Sequence, residues 1–409
     1  MALLDLFFSR AVKRGLLTTV QPDGTSRTFG QPDAELGEAT VRFHDKGAIR
    51  ALIRDPSSGT PEMVMTGRIT IGNDDIIGLM RLMTANSRFE DGRNALDGSV
   101  LARIVERARF RIGRYNMVRR SKRNVAHHYD LSDRLYDLFL DADKQYSCAY
   151  FTDPAHETLD QAQADKKAHI AAKLALKPGM KVLDIGCGWG GMALYLHQKT
   201  GAEVLGVTLS EEQLKVARRR AEEAGVADKV RFELIDYRHV EGPFDRIVSV
   251  GMFEHVGTPH YTTFFRKCFD LLTPDGVMLI HTIGRATGPG VTDTFTAKYI
   301  FPGGYIPALS EIVQASEGLR WFVSDVETLR LHYAYTLKHW YDRVVANRAA
   351  IVALYDERFY FMWIWYLAGS HVSFLNGSLV NFQLQYTRDR HALPITRDYM
   401  IEAERALRG

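Results

Sequence analysis

The pattern of apolar and polar positions changes character along the chain. From Lys181 it becomes a regular alternation: KVLDIG is a strand, GGMALYLHQKTG a helix, EVLGVTL a strand and SEEQLKVARRRAEEAG a helix. VRFELID, FDRIVSV and GVMLIHTI follow as short apolar strands with helical segments between them. Repeated βα units of this kind predict an α/β fold built on a doubly wound, largely parallel sheet. Near the C-terminus Val380, Phe382, Leu384 and Tyr386 alternate with Asn381, Gln383 and Gln385. That is a period-two strand, expected as a late addition at the sheet edge.

The first hundred residues read differently. Residues 39–53 and 63–71 are short alternating segments broken by turn clusters such as DPSSGTPE, which predicts a smaller α+β domain. Residues 1–17 read as an amphipathic helix, with Leu3, Leu6, Phe7 and Leu17 set against Arg10, Lys13 and Arg14. Such a helix either packs on its own domain or lies on a membrane surface. Residues 103–123 then carry nine Lys or Arg opposed by Glu106 alone. The run is either a solvated linker or an attractor of anionic lipid headgroups, and it lacks the interleaved aromatics of an RNA-stacking surface. The chain thus divides into an N-terminal domain at 1–102, a basic linker at 103–123 and a larger domain at 124–409.

Composition changes this picture little. A net charge of +3 over 409 residues gives no reason to expect nucleic acid as a partner. Cys148, Cys187 and Cys268 are widely separated, without the spacing of a disulfide framework or a zinc site, so a reducing, cytoplasmic setting fits and no metal is expected. The N-terminus does not read as a signal peptide, because Asp5 interrupts its apolar stretch and its basic residues follow it. Residues 359–387 are uncharged for long enough to raise the question of a membrane span. Ser370, His371, Asn376 and the later amides would be costly in lipid, so the reading is a buried helix followed by a strand.

The chemistry starts at Asp184-Ile185-Gly186-Cys187-Gly188-Trp189-Gly190, between the first strand of the alternation and its helix. Glycines there let the backbone approach a ligand, and the helix start offers free N–H groups. The spacing alone also matches a dinucleotide loop. Two details favour S-adenosylmethionine instead. Asp184 would repel a pyrophosphate and welcome a cationic amino or sulfonium group. The second strand ends in Gly206-Val207-Thr208-Leu209-Ser210, with no acid at its tip for a ribose hydroxyl. After the third strand, Asp236 and Tyr237 are either cofactor contacts, an acceptor for an adenine amino group and a ring to stack on it, or ordinary turn residues.

With these residues placed, the chain resembles the cyclopropane-fatty-acyl-phospholipid synthase family, which includes the mycolic acid cyclopropane synthases. The likeness rests on HHYDLS at 127–132, QYSCAYF at 145–151, the DIGCGWG loop, TLS with Gln213, GMFEHVG at 251–257, HTIG at 281–284, FPGG at 301–304 and HYA at 332–334. It implies a class I methyltransferase-like sheet and a reaction in which the methyl of S-adenosylmethionine passes to a cis-alkene of a phospholipid acyl chain. It also implies a cofactor site at Tyr146, Ser147, Val182, Leu183, Asp184, Ile185, Gly186, Cys187, Gly188, Trp189, Gly190, Thr208, Leu209, Ser210, Gln213, Asp236, Tyr237 and Arg238. A bicarbonate ion beside the reacting methyl would be held at Cys148, Glu254, His281, Ile283 and Tyr333. Membrane phospholipid as partner, a homodimer and a peripheral place on the inner face of the membrane follow from the same likeness. One departure is Ser370, where family members often carry a cysteine.

The residue types suit the chemistry. Attack of an unactivated alkene on a sulfonium methyl leaves positive charge on an alkyl carbon, and closing the ring removes a proton from the new methyl. A base near the methyl and a dry, π-rich channel are therefore needed. Phe253, Phe301, Tyr305, Trp363 and Trp365 are candidates for that channel or for plain core packing. Deprotonation elsewhere, or reduction by a partner, would give a methyl or methylene branch instead. A non-catalytic lipid-binding protein is the reading from a different class.

Overall fold

The computed structural model describes residues 2–54, 59–92 and 131–408. The basic run at 103–123, the expected domain boundary beside it and the first residues of the HHYDLS motif lie outside them. Two units are present, and they are not consecutive stretches. One takes in the described residues of 1–112 together with Val291–Pro302 and Leu337–Leu379, and the rest forms the other. The expected single domain at 124–409 is thus divided.

In the first unit, β1 (Gly15–Val20), β2 (Ser26–Gln31), β3 (Glu38–Phe43) and β4 (Ile69–Ile71) form a sheet in the order β2-β1-β3-β4. β1 and β3 run parallel, and the other pairs are antiparallel. The Ala2–Ala11 helix precedes them, shorter than the predicted 1–17. Gly15 takes a left-handed φ of 77°, and Leu17 falls on β1 instead. The helix buries Leu4, Phe8 and Ala11, while Leu6 is 47% exposed, so its inward stripe is not the expected one. The long Glu357–Leu375 helix packs on Ile76–Ala85 and Gly59–Met65. Arg348 to Asp74 (2.8 Å), Lys298 to Glu62 (2.6 Å) and Asn376 to Thr84 (2.9 Å) tie the late segments to the early ones. Among the described residues no helix is long and apolar enough to cross a membrane.

The second unit holds the doubly wound sheet: β5 (Lys181–Ile185), β6 (Glu203–Thr208), β7 (Val230–Leu234), β8 (Phe244–Val250), β9 (Leu272–Arg285), β10 (Phe322–Leu329) and β11 (Leu379–Thr387). Their order is β10-β11-β9-β8-β5-β6-β7. β5 to β9 pair parallel throughout, as the βα alternation predicts, and β10 runs antiparallel to β11. The helix after β6 has a clear start signal. Ser210 caps Glu211–Glu223 by accepting the Gln213 N–H at 3.3 Å, and Leu214, Ala217 and Ala221 turn inward. β11 differs from expectation. It lies between β9 and β10, not at the edge, and Asn381, Gln383 and Gln385 are buried. Their amides find partners inside, Gln385 on the Lys173 carbonyl (2.5 Å) and on Tyr399 (2.7 Å), which is what lets polar residues occupy an interior strand.

Successive strands are added on one side of β5 as β6 and β7, then on the other as β8 and β9. The strand order reverses at β5/β8, and ligands of such sheets sit in the crevice beyond the carboxyl ends of the strands at that point.

Candidate functional site

The glycine loop occupies that crevice. Val182, Leu183, Asp184 and Ile185 are buried on β5, and Gly186, Gly188 and Gly190 all take left-handed φ values (84°, 55° and 84°). At Gly190 a side chain would meet the Phe232 ring at 2.6 Å and at Gly186 the Met252 Cβ at 2.9 Å, so both must be bare. At Gly188 a side chain would meet no protein atom within 4 Å, which leaves open room beside the loop backbone. Asp184 is fully buried and its Oδ2 has no hydrogen-bond partner. Burial pushes its carboxyl up to about 7, and the charge of Lys166 opposes the rise. An orphaned buried carboxylate at a glycine cradle is suited to a cationic amino group.

The neighbouring strand ends complete the rim. Thr208 bonds Gln213 at 3.0 Å and accepts the Ser210 N–H, which leaves Leu209 56% exposed at the tip of β6 as an apolar platform. No acid stands there, as the sequence indicates. Asp236 is gripped by Arg238 through both oxygens (2.8 and 2.5 Å), and the side of the Tyr237 ring meets Phe264 at 5.4 Å. The expected adenine acceptor at Asp236 is therefore already engaged by its neighbour, although a carboxylate has lone pairs to spare.

The QYSCAYF segment packs against the same loop. Asp141 accepts the N–H groups of Asp143 (3.0 Å) and Gln145 (2.9 Å), shaping the turn that enters it. Asp143 is paired with Lys167 and Arg220, and Arg220 also donates to the Trp189 carbonyl at 2.9 Å. A side chain on Gly191 would run into Asp143 and Gln145, so the segment lies directly against the start of the Gly191–Thr200 helix. Tyr136 meets both Tyr146 and Trp189 edge-on, at 5.4 and 5.0 Å. Ser147 faces Gly251 at the end of β8, where a side chain would come within 3.9 Å of its Cβ. Cys148 is buried beside Ala149, whose N–H bonds Thr336 at 3.0 Å, and burial pushes its thiol well up, which makes it no nucleophile. Behind this segment stands a residue the sequence reading passes over: Lys166, fully buried in the Leu159–Leu174 helix, which donates to Gln145 Oε1 (2.7 Å) and Ser147 Oγ (2.9 Å).

Beyond β8 the chain turns through Phe253–His255 and carries Glu254 into the interior. Its Oε1 accepts the Ile283 N–H from β9 at 2.7 Å, while Oε2 has no partner. Burial lifts this carboxyl to about 7, against the pull of the Ile283 N–H. The oxygen that takes the N–H is carbonyl-like, so the proton belongs on Oε2. Phe253 beside it is core, stacked on Tyr261 at 4.3 Å, and not a channel wall.

His281 is buried on β9 and bonded across to β11. Its Nε2 lies 2.7 Å from the Asn381 amide and its Nδ1 3.1 Å from that of Gln383, both on β11. A neutral imidazole has one N–H, so one amide must turn its oxygen to the ring. Burial holds this histidine well below its usual range, and both nitrogens are satisfied within the protein. The imidazole thus joins β9 to β11 through both ring nitrogens, and the Ile283 N–H is engaged by Glu254. Tyr333 is buried in the first turn of the His332–Ala346 helix.

Comparison with known proteins agrees with this geometry. Residues 116–384 match the sequence model of the family described as mycolic acid cyclopropane synthetase. The cyclopropane-fatty-acyl-phospholipid synthase of Escherichia coli is 42% identical over 261 residues, 64% of this chain and 66% of that protein. The tuberculostearic acid methyltransferase of Mycobacterium tuberculosis is 38% identical over 283 residues, 66% of each chain. The match thus spans just under two thirds of these relatives. A mycolic acid cyclopropane synthase solved with S-adenosylhomocysteine and CTAB superimposes with a TM-score of 0.61 at 36% identity, over 64% of this chain and 96% of that one. The chain belongs to the mycolic acid cyclopropane synthetase family and is an S-adenosylmethionine-dependent methyltransferase of lipids.

Proposed function

We propose that the chain methylates a cis-alkene of a phospholipid acyl chain and closes a cyclopropane, with bicarbonate accepting the proton. The observation that carries this reading is Glu254, a buried, protonatable carboxyl with one orphaned oxygen on the same rim as the cofactor loop. S-adenosylmethionine supplies the electrophilic methyl. Asp184 holds its amino group, the bare Gly188 backbone and exposed Leu209 give room to its nucleoside, and the β5 loop fixes its approach. Glu254, carrying its proton on Oε2, would donate to an oxygen of bicarbonate, with Tyr333 as a second holder. Bicarbonate supplies a base of modest strength that needs no ionised side chain in a dry site. His281 and Ile283 act one step back: the Ile283 N–H orients Glu254, and His281, bonded across to β11, fixes the strand that bears it. The phospholipid reading is supported by the Escherichia coli relative's name, and a peripheral site on anionic membrane by the 103–123 run. The Mycobacterium tuberculosis relative, named a tuberculostearic acid methyltransferase, favours a methyl branch as the second reading.

The test is turnover in buffer stripped of carbon dioxide. The rate on vesicles of unsaturated phospholipid should fall and return when bicarbonate is added. A rate indifferent to bicarbonate would remove it from the mechanism and leave the proton to another acceptor.

A further inference from the structure

Burial lowers Lys166 to about 7, against the charge of Asp141, and in the ammonium form that holds below that pH it can only donate. Its Nζ is fully buried and has two acceptors among the described residues, Gln145 Oε1 at 2.7 Å and Ser147 Oγ at 2.9 Å. Ser147 must therefore accept from Lys166, and its own O–H has to point elsewhere. The backbone carbonyl of Ser147 is taken up separately by the Gln163 amide (3.0 Å), so the residue is held from both ends. Ser147 stands against Gly251 at the end of β8, the strand next to the glycine loop of β5. A hydroxyl that accepts from a cation is also a stronger donor.

Asp184 lies within reach of the same charge, since Lys166 acts on its carboxyl through space. No hydrogen bond joins the two: Lys166 donates to Gln145 and Ser147, and Asp184 Oδ2 is left without a partner. A buried lysine with its donor relay and a buried carboxyl with an unpartnered oxygen thus act on each other through space without a hydrogen bond between them. That arrangement suits a ligand that is itself a zwitterion.

Resting on the assignment of S-adenosylmethionine as cosubstrate, we propose that Lys166 is a positioning residue for its amino-acid head. Lys166 fixes the direction of the Ser147 hydroxyl so that it donates to the α-carboxylate, while Asp184 takes the α-ammonium. The remaining Lys166 N–H, which has no acceptor among the described residues, faces the same negative charge. The glycine loop and Leu209 then serve the nucleoside, independently of Lys166.

Calorimetry with two ligands separates this from a plain structural role. S-adenosylhomocysteine carries the amino-acid head, and 5′-methylthioadenosine has the same nucleoside without it. Lys166→Met should weaken S-adenosylhomocysteine about tenfold or more, the scale of losing a hydrogen bond to a charged group, and leave 5′-methylthioadenosine within about twofold. Ser147→Ala, which leaves the buried lysine in place, should give the same split. Adding Lys166→Met to Ser147→Ala should cost little more, because the two act through one hydroxyl. If Lys166→Met does not fold, the Ser147→Ala split decides alone. Equal weakening of both ligands, or no weakening of either, overturns the proposal. Failure of the unaltered protein to bind either ligand would instead overturn the cosubstrate assignment.

Discussion

Asp184→Asn should stabilise the ligand-free protein at pH 8 while crippling cofactor binding. The carboxyl is fully buried with an orphaned oxygen, and burial lifts it from 3.8 to about 7. Its pKa is higher folded than unfolded, so the folded state binds more protons between those values and stability falls as pH rises through the window. The penalty is absent below about pH 4 and complete above about pH 7, where it amounts to about 4 kcal/mol. Asparagine removes it but places an unsatisfied amide N–H near the orphan position, at a cost of about 1–3 kcal/mol. The net gain at pH 8 is about 2 kcal/mol. At pH 5 most of the penalty is not yet present, so the variant's advantage over the unaltered protein should shrink by about 2–3 kcal/mol between pH 8 and pH 5. Urea unfolding without ligand at the two pH values measures this directly. S-adenosylhomocysteine affinity, followed by calorimetry, should fall about 10-fold to 10²-fold. A stability difference that is flat with pH, or undiminished affinity, would refute the picture of a buried carboxylate awaiting a cation.

Glu254→Gln should keep activity within about tenfold, since its amide can donate where the protonated acid does, and should lose the fall in rate that deprotonation causes above about pH 7. Glu254→Leu should lose about 10²-fold or more, and a Gln variant as inactive as the Leu variant would contradict the donor role. Gly190→Ala forces a φ of 84° on an alanine and drives its Cβ to 2.6 Å from Phe232. It should destabilise the fold by about 2 kcal/mol or more in chemical denaturation and abolish S-adenosylhomocysteine binding. Binding to anionic vesicles in a sedimentation assay should weaken steeply as salt rises, through the 103–123 run, and salt-independent binding to neutral vesicles would exclude electrostatic docking.

The parts of the fold that are legible in the sequence are those set by local pattern. β5 to β9 and their helices follow from short apolar runs separated by amphipathic segments, and the glycine loop from its place between a strand and a helix. β11 is misplaced at the edge because alternating amides look like a solvent face. Only their partners, His281 on β9 and the Lys173 carbonyl on the Leu159–Leu174 helix, show that they are interior. The ring of His281 meets residues a hundred positions away, which no local signal around HTIG announces. Lys166 escapes notice because its helix is buried on every side and shows no polar stripe from which one lysine could stand out. The division into units was also illegible, since Val291–Pro302 and Leu337–Leu379 join the first unit through contacts that no local signal encodes.

The central claim is methyl transfer to an acyl-chain alkene with ring closure. Purified protein should be given S-adenosylmethionine with a deuterated methyl and vesicles of a cis-monounsaturated phospholipid, and the lipid's acyl chains analysed by mass spectrometry and proton NMR. The account predicts that one carbon and two deuterium atoms enter the chain, that the alkene signal disappears and that high-field cyclopropane signals take its place. Label confined to the headgroup, retention of all three deuterium atoms on a branch, or an unlabelled lipid would contradict it.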